Sequence, residues 1–153
     1  MLGKLSGSSI IKIEPFGSFL FYETEKTWFS VVKNISLLND VELLIEVENS
    51  KQDLTEKTML IKEFVNEIDL VMEILYTFIH KKCFTCSTKT LDDVKKMYHL
   101  CAIELKLDNK TWWIGLEPSF DNKTIYNHFL RFTLVNNEII WSNIQNKIRK
   151  KND

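Results

Sequence analysis

Short apolar runs separated by turn residues fill the first third of the chain, a pattern typical of consecutive β-strands. In the last of these runs, from Val41 to Glu48, apolar and acidic residues mostly alternate, as expected for a strand with one face in water. The connections are short, which favours antiparallel neighbours. The pattern predicts a meander of strands over residues 10–14, 18–23, 27–35 and 41–48.

The apolar spacing then changes to that of a helix. From Asp53 onwards, apolar residues recur every three or four positions, and no Gly or Pro interrupts the run. We therefore expect one long helix of about 25 residues, capped by Asp53 or Thr55. Thr90, with Asp92 and Asp93 in the following turn, predicts the start of a second, short helix. The apolar stripe of the long helix comprises Leu60, Phe64, Ile68, Val71, Leu75 and Phe78.

The remaining chain returns to strand patterns. Asn136 and Asn137 predict a tight hairpin, because Asn tolerates the positive φ that such turns require. Neighbouring residues of a strand face opposite ways, so we expect at most one of Trp112 and Trp113 in the core. The predicted strands cover residues 101–107, 111–117, 128–135 and 138–144.

Strands, then helices, then strands predict an α+β fold. The expected architecture is an antiparallel β-meander, one long and one short helix, and a second antiparallel set of strands that packs with the helices. With 153 residues, of which 44% are hydrophobic and 27% charged, the chain fits one globular domain. We assign the single α+β domain to residues 1–145 and a basic C-terminal tail to residues 146–153.

The N-terminal segment gives an indication of the cellular compartment of the protein. It lacks the continuous apolar stretch and the cleavage site of a signal peptide, and no run reaches the roughly 18 apolar residues of a membrane helix. We therefore expect a cytoplasmic protein, with no membrane partner, whose three cysteines are reduced thiols. The odd number of cysteines also argues against a disulfide framework.

The net charge of −1 hides an uneven distribution. Ten acidic residues and three lysines lie between Asp40 and Glu73, a local charge of −7. This field could steer a basic protein partner and repels nucleic acid, but the solvated faces of a strand and a helix are the simpler explanation of the same pattern. The candidate partner-binding residues are Glu46, Glu48, Glu63, Glu67, Glu73 and the aromatic Trp113.

Cys83, Cys86, His99 and Cys101 have a spacing that partly matches a zinc site. The second pair, His99 and Cys101, fits poorly because it spans a predicted junction between a helix and a strand. His80 is an alternative fourth ligand. A redox pair is a second interpretation, but the CxxC follows the C-terminal end of a helix, where the dipole disfavours a thiolate. We favour a third, in which the cysteines pack as small hydrophobic residues.

Other catalytic patterns are weak. The sequence has no phosphate-binding glycine loop, nucleophile elbow, HExxH motif or calcium loop. His128, near Glu117 and Asp121, could act as a general base with an orienting acid, but a structural His at the start of a strand is the better explanation. We therefore expect no enzymatic activity and no cofactor, with zinc as the alternative.

The stretches FGSFLFYETEKTWFSVV and TLDDVKKMYHLCAIELKLDN, followed by NHFLRFTLVNNEIIWSNI, resemble a group of small bacterial domains of unknown function. The matching positions are Phe16, Gly17, Tyr22, Trp28 and His128. These domains are similar to predicted immunity proteins of polymorphic toxin systems, in which a small cytoplasmic protein binds and blocks a toxin. The CxxC lies outside this pattern.

The sequence as a whole thus predicts a non-enzymatic, cytoplasmic protein-binding domain. The resemblance implies an immunity protein that neutralises a cognate basic toxin. A small zinc-binding or redox protein is the alternative, and a homo-oligomer, in which the partner is a second copy, is compatible with the same observations.

Overall fold

The residues that the structure describes form eight strands and three helices, an α+β arrangement, as the order of patterns predicted. The computed structural model describes residues 9–36, 39–119 and 129–144, so His128, Asp121 and the predicted tail at 146–153 lie outside the described residues. The strands are β1 (Ile10–Ile13), β2 (Gly17–Tyr22), β3 (Thr27–Val32), β4 (Val41–Glu46), β5 (Tyr98–Leu105), β6 (Thr111–Pro118), β7 (Leu130–Val135) and β8 (Glu138–Ser142). The helices are α1 (Thr55–Asn66), α2 (Ile68–Cys83) and α3 (Leu91–Met97).

All eight strands join one mixed sheet, in the order in which they occur along the chain. Neighbouring strands are antiparallel except β4 and β5, which are parallel. A parallel pair needs a crossover connection, and the three helices between β4 and β5 provide it. The two antiparallel sets of strands expected from the sequence are therefore halves of a single sheet.

The helices pack on one face of the sheet, here called the inner face. Phe64 of α1 stacks on Trp112 of β6 with ring centroids 3.9 Å apart, and Phe78 of α2 meets Phe132 of β7 edge-on at 6.0 Å. Trp112 is 9% exposed, whereas the next residue, Trp113, points to the opposite face. The expectation that only one of the two tryptophans is in the core is confirmed.

The long helix differs from the prediction, because it is divided into α1 and α2 at Glu67. That residue leaves helical geometry (φ −105°, ψ 19°), yet its amide still donates to the carbonyls of Glu63 and Phe64. Few backbone hydrogen bonds are lost at the break, and no Gly or Pro marks it in the sequence. Neither predicted cap forms: Asp53 accepts from Thr55, and the N-cap position is Leu54.

The polar turn residues behave as their side chains predict. Thr90 and Asp93 form a reciprocal capping box at the start of α3, and Asp92 lies in the same first turn. Asn136 and Asn137, between β7 and β8, both have positive φ (52° and 62°). The tight hairpin and the short helix are thus determined by local interactions that can be predicted from the sequence.

Lys57 is an unusual part of the inner core, because this cation is only 1% exposed. Its Nζ donates to the carbonyl oxygens of Lys106 (3.2 Å) and Leu107 (3.3 Å) and to Oδ1 of Asn109 (2.5 Å). Burial lowers the pKa of Lys57, while nearby carboxylates, first among them that of Glu46, oppose the shift. The amine therefore ties α1 to the turn between β5 and β6.

We expect Lys57→Met to lower the free energy of unfolding by about 2–3 kcal/mol, since the substitution removes hydrogen bonds from a charged donor and leaves buried acceptors unpaired. Urea unfolding followed by circular dichroism measures the change. Lys62→Met, at an exposed position of the same helix, is the matched control and should cost under about 0.5 kcal/mol. Equal losses in the two variants would contradict a structural role for the buried amine.

Candidate functional site

The outer face of the sheet, opposite the helices, carries one residue from every strand in a single row. The registers of the seven strand pairs define this outer row without a gap. At a strand spacing of about 4.8 Å, the row is about 34 Å long. Its members, from β1 to β8, are Ile10, Leu20, Phe29, Leu44, Glu104, Trp113, Thr133 and Trp141.

Six of the eight residues in the outer row are apolar. The side chains near its two ends are the most open: Ile10 is 60% exposed at one end, and Trp141 is 51% exposed at the other. A sheet face in water normally carries polar residues, so this composition needs an explanation. In the part of the chain that the structure describes, the helices contact the inner face and leave the outer row uncovered.

Charged side chains occupy the middle of the outer face. Lys106 Nζ lies 3.0 Å from Glu104 Oε2 and 3.4 Å from Glu46 Oε1, and it sits 3.6 Å from the centroid of the Trp113 ring. Glu46 Oε1 also accepts from the amide of Leu107 at 2.9 Å. Two carboxylates share one lysine, so this cluster keeps a net negative charge beside the exposed indole.

A second acidic group lies on the outer face opposite the other half of β5, beside Ala102 and His99. Glu42 is exposed on β4, and Glu117 on β6 accepts a hydrogen bond from His99 Nε2 at 2.9 Å. Both carboxylates are close enough to Cys101 to contribute to its raised pKa. The outer face of β4, β5 and β6 therefore combines acidic side chains with the aromatic ring of Trp113.

A groove runs between β6 and β8 at one end of the outer row. It has a volume of about 220 Å³ and is lined by Trp113, Arg131, Phe132, Thr133 and Trp141. The sequence identified Trp113 as an available aromatic residue. The sequence could not show that Trp141 lies two strands from Trp113 in the same row, because that proximity depends on the pairing of β6 with β7 and of β7 with β8.

The six candidate partner-binding residues do not lie on one surface. Glu46 and Trp113 meet on the outer face through Lys106, and Glu48 is exposed in the turn after β4. The others belong to the helix layer on the opposite side of the sheet. They are Glu63 on α1, Glu67 between the helices, and Glu73 on α2, which pairs with Lys95 at 2.7 Å.

The acidic stretch from Asp40 to Glu73 is thus divided between the two sides of the sheet. A wider groove of about 490 Å³ lies beside Glu63, between α1 and the turn that contains Phe16. This groove is an alternative place for a partner on the helix side. The outer face differs from it in combining the acids with a long apolar row.

The cysteine pattern does not assemble into a metal site in the described structure. Cys83 packs against the inner core at the end of α2, and Cys86 is exposed in the loop that follows. Cys101 lies against Gly115 on the outer face, and His99 bonds Glu117. Among the described residues, no three His, Cys, Asp or Glu side chains come close enough to hold a metal ion.

Burial also changes the chemistry of two of the thiols. It raises the pKa of Cys83 to about 11 and that of Cys101 to about 12, with the nearby Glu117 and Glu42 carboxylates adding to the shift of Cys101. Both thiols are therefore protonated at neutral pH, which makes them poor nucleophiles. The packing interpretation accounts for the positions of Cys83 and Cys101, but it is wrong for Cys86, which is exposed in the loop after α2.

Comparisons with known proteins give no relative from which a function could be transferred. No protein family model, no curated protein and no solved structure matches the chain. Across the described residues, none of the helices combines the length and the apolar character needed to span a membrane. The geometry of the site is therefore the basis for a functional proposal.

We expect the three thiols to react with iodoacetamide at separate rates at pH 8. A shift of the pKa from 9.0 to about 11 lowers the thiolate fraction about a hundredfold, so Cys83 and Cys101 should label far more slowly than the exposed Cys86. Peptide mass spectrometry resolves the three sites. All three should label at similar rates in urea, and fast, linked labelling of the native protein would instead support a redox pair.

Alkaline pH should lower the stability of the fold. Burial raises the pKa of Cys83, Cys101 and Tyr76, whose hydroxyl donates to the Tyr98 carbonyl, so the unfolded chain loses these protons first. The free energy of unfolding is therefore expected to fall above about pH 9, towards the folded-state pKa values. Urea midpoints between pH 7.5 and 10.5 measure this slope. A Cys83→Ala/Cys101→Ala variant should show a shallower slope; an unchanged one would contradict the assignment.

Proposed function

We propose that the chain is a non-enzymatic protein-binding domain and that the outer face of its sheet docks a basic partner protein. The observation that carries this proposal is the outer row, in which apolar residues of six strands face away from the helix layer. Acidic side chains lie in the middle of the same face, so apolar contact and charge are available together.

Large apolar side chains on the outer face point into solvent. Val31 and Leu20 are 49% and 38% exposed on one half of the face, and Trp113 is 40% exposed on the other. A contiguous apolar patch on a folded protein usually marks an interaction site, and exposed tryptophans are enriched where proteins meet. Scattered apolar residues would need no such explanation, but these are aligned by the strand registers.

The charges on the outer face indicate the character of the partner. Glu46 and Glu104 flank Lys106 near the centre of the face, and Glu42 and Glu117 lie further along the same face. Such a field attracts a basic surface and speeds its association, whereas it repels a phosphate backbone. A basic protein with apolar contact residues fits both features.

The resemblance to predicted immunity proteins supplies the class of partner. In that setting the basic protein is a toxin, and the chain blocks it by covering its surface in the cytoplasm. No catalytic step is needed for this role, and the protonated Cys83 and Cys101 thiols are consistent with a purely binding function. Both the identification of the partner as a toxin and the cytoplasmic location are part of the proposal.

Association kinetics with a partner isolated from the host cells test which face is used. The variant Glu42→Lys/Glu117→Lys reverses two charges on the outer face, and we expect it to slow association about tenfold at low salt. Its rate should also depend less on ionic strength. Surface plasmon resonance at several salt concentrations gives both quantities.

The matched control is Glu63→Lys/Glu67→Lys, which reverses two exposed charges in the helix layer. This control has the same change in net charge, so it separates a local effect from a general one. The control should associate at nearly the wild-type rate. If it instead slows association while the outer-face variant does not, the partner docks on the helix side and the proposal is wrong.

A further inference from the structure

We propose that the groove between Trp113 and Trp141 receives one aromatic side chain of the partner protein. This inference rests on the proposed function and adds to it the residue class that anchors the complex. The supporting observations are the spacing of the two indoles, the volume between them and the cations already present beside them.

The strand registers place the two tryptophans on either side of a small residue. Trp113 pairs with Thr133, and Thr133 pairs with Trp141, so two strand spacings separate the indoles, about 9.6 Å at the Cα positions. Aromatic rings prefer centroid distances of about 4.5–7 Å. One additional ring therefore fits between the two indoles in contact with both.

The volume of the groove favours a single side chain. Small-molecule sites occupy about 300–1,000 Å³, whereas this groove has about 220 Å³. At about 30 Å³ for each water, it holds on the order of seven water molecules. An anchor residue that displaces these waters from two apolar walls is the kind of contact that dominates protein interfaces.

The charges around the groove select against a cationic anchor. Lys106 on β5 already lies over Trp113, 3.6 Å from the ring centroid, and Arg131 lines the groove from β7. Glu104 and Glu46 offset the charge of Lys106, but its Nζ already occupies one face of the Trp113 ring, and a lysine or arginine of the partner would be brought next to the Arg131 guanidinium. An uncharged ring avoids that repulsion, and Arg131 can donate to a carbonyl oxygen next to it.

The basic residues of the partner and its aromatic anchor thus have separate places on the same face. The acids Glu42 and Glu117 lie on β4 and β6, towards the end of the face away from Lys106, and the groove lies between β6 and β8. A partner segment that crosses the strands can reach both, because neighbouring strands are only about 4.8 Å apart. The predicted motif is an aromatic residue close to one or more basic residues.

The test uses the isolated chain and three small probes: N-acetyl-tyrosinamide, N-acetyl-leucinamide and N-acetyl-lysinamide. Titrations are followed through the indole N–H signals of the four tryptophans in ¹H–¹⁵N NMR spectra. We expect the tyrosine probe to shift the signals of Trp113 and Trp141. The signals of Trp28 and Trp112, which are buried, serve as internal controls and should not move.

Trp141→Ala should weaken binding of the tyrosine probe about tenfold, since it removes one wall of the groove. Ile140→Ala, the neighbouring exposed apolar residue on β8, is the matched control and should bind like the wild type. Thr133→Phe, which fills the groove from within, should also abolish binding. Agreement among these variants supports the proposal.

Equal or tighter binding of the leucine or lysine probe would overturn the aromatic assignment. So would shifts of the Trp113 and Trp141 signals with protein concentration alone, because a second copy of the chain would then occupy the groove. These outcomes are separable from failure of the proposed function. If the tyrosine probe does not bind but Glu42→Lys/Glu117→Lys still slows association with the partner, the docking face stands and only the aromatic anchor is lost.

Discussion

The parallel pairing of β4 with β5 is the constraint on which the rest of the structure depends. Leu43 lies beside Ile103 and Ile45 beside Leu105, and these pairs join two antiparallel halves into one sheet. The four side chains are fully buried under the helix layer. Because side chains alternate along each strand, this register decides at once which residues of both halves face the helices.

The same register creates the outer face. Leu44 and Glu104 are partners at the junction, and the outer row continues from them through three further strands on each side. A shift of one residue between β4 and β5 would bury Glu104 and expose Ile103. The apolar row, the acidic side chains and the tryptophan groove therefore all lie on one face because of this single register.

Sequence reasoning recovered what local chemistry determines. The alternation around Val41–Glu46, the cap at Thr90 and the turn at Asn136 each specify an element through neighbouring residues. It missed the parallel pairing and the division of the long helix at Glu67. A strand pattern does not identify the strand with which it pairs. The helix break carries no Gly or Pro, and the Glu67 amide keeps its hydrogen bonds to Glu63 and Phe64.

The candidate site was recovered only in part, for the same reason. Trp113 was identified from the alternation of TWWIG, but its neighbours Lys106 and Trp141 depend on long-range registers. The acidic run appeared as one feature along the chain, and the fold splits it between two sides of the sheet. The two cysteines of the CxxC are near in sequence but differ in environment: Cys83 packs against the core, whereas Cys86 is exposed.

The buried Lys57 amine has a consequence for local motion. Its three acceptors belong to the β5–β6 turn, the same turn in which Asp108 accepts from the amides of Lys110 and Thr111. When α1 lifts from the sheet, this turn loses its only charged donor from the helix layer among the described residues. We therefore expect the helix and the turn to open as one cooperative unit, so that protection from hydrogen exchange is shared between segments about fifty residues apart.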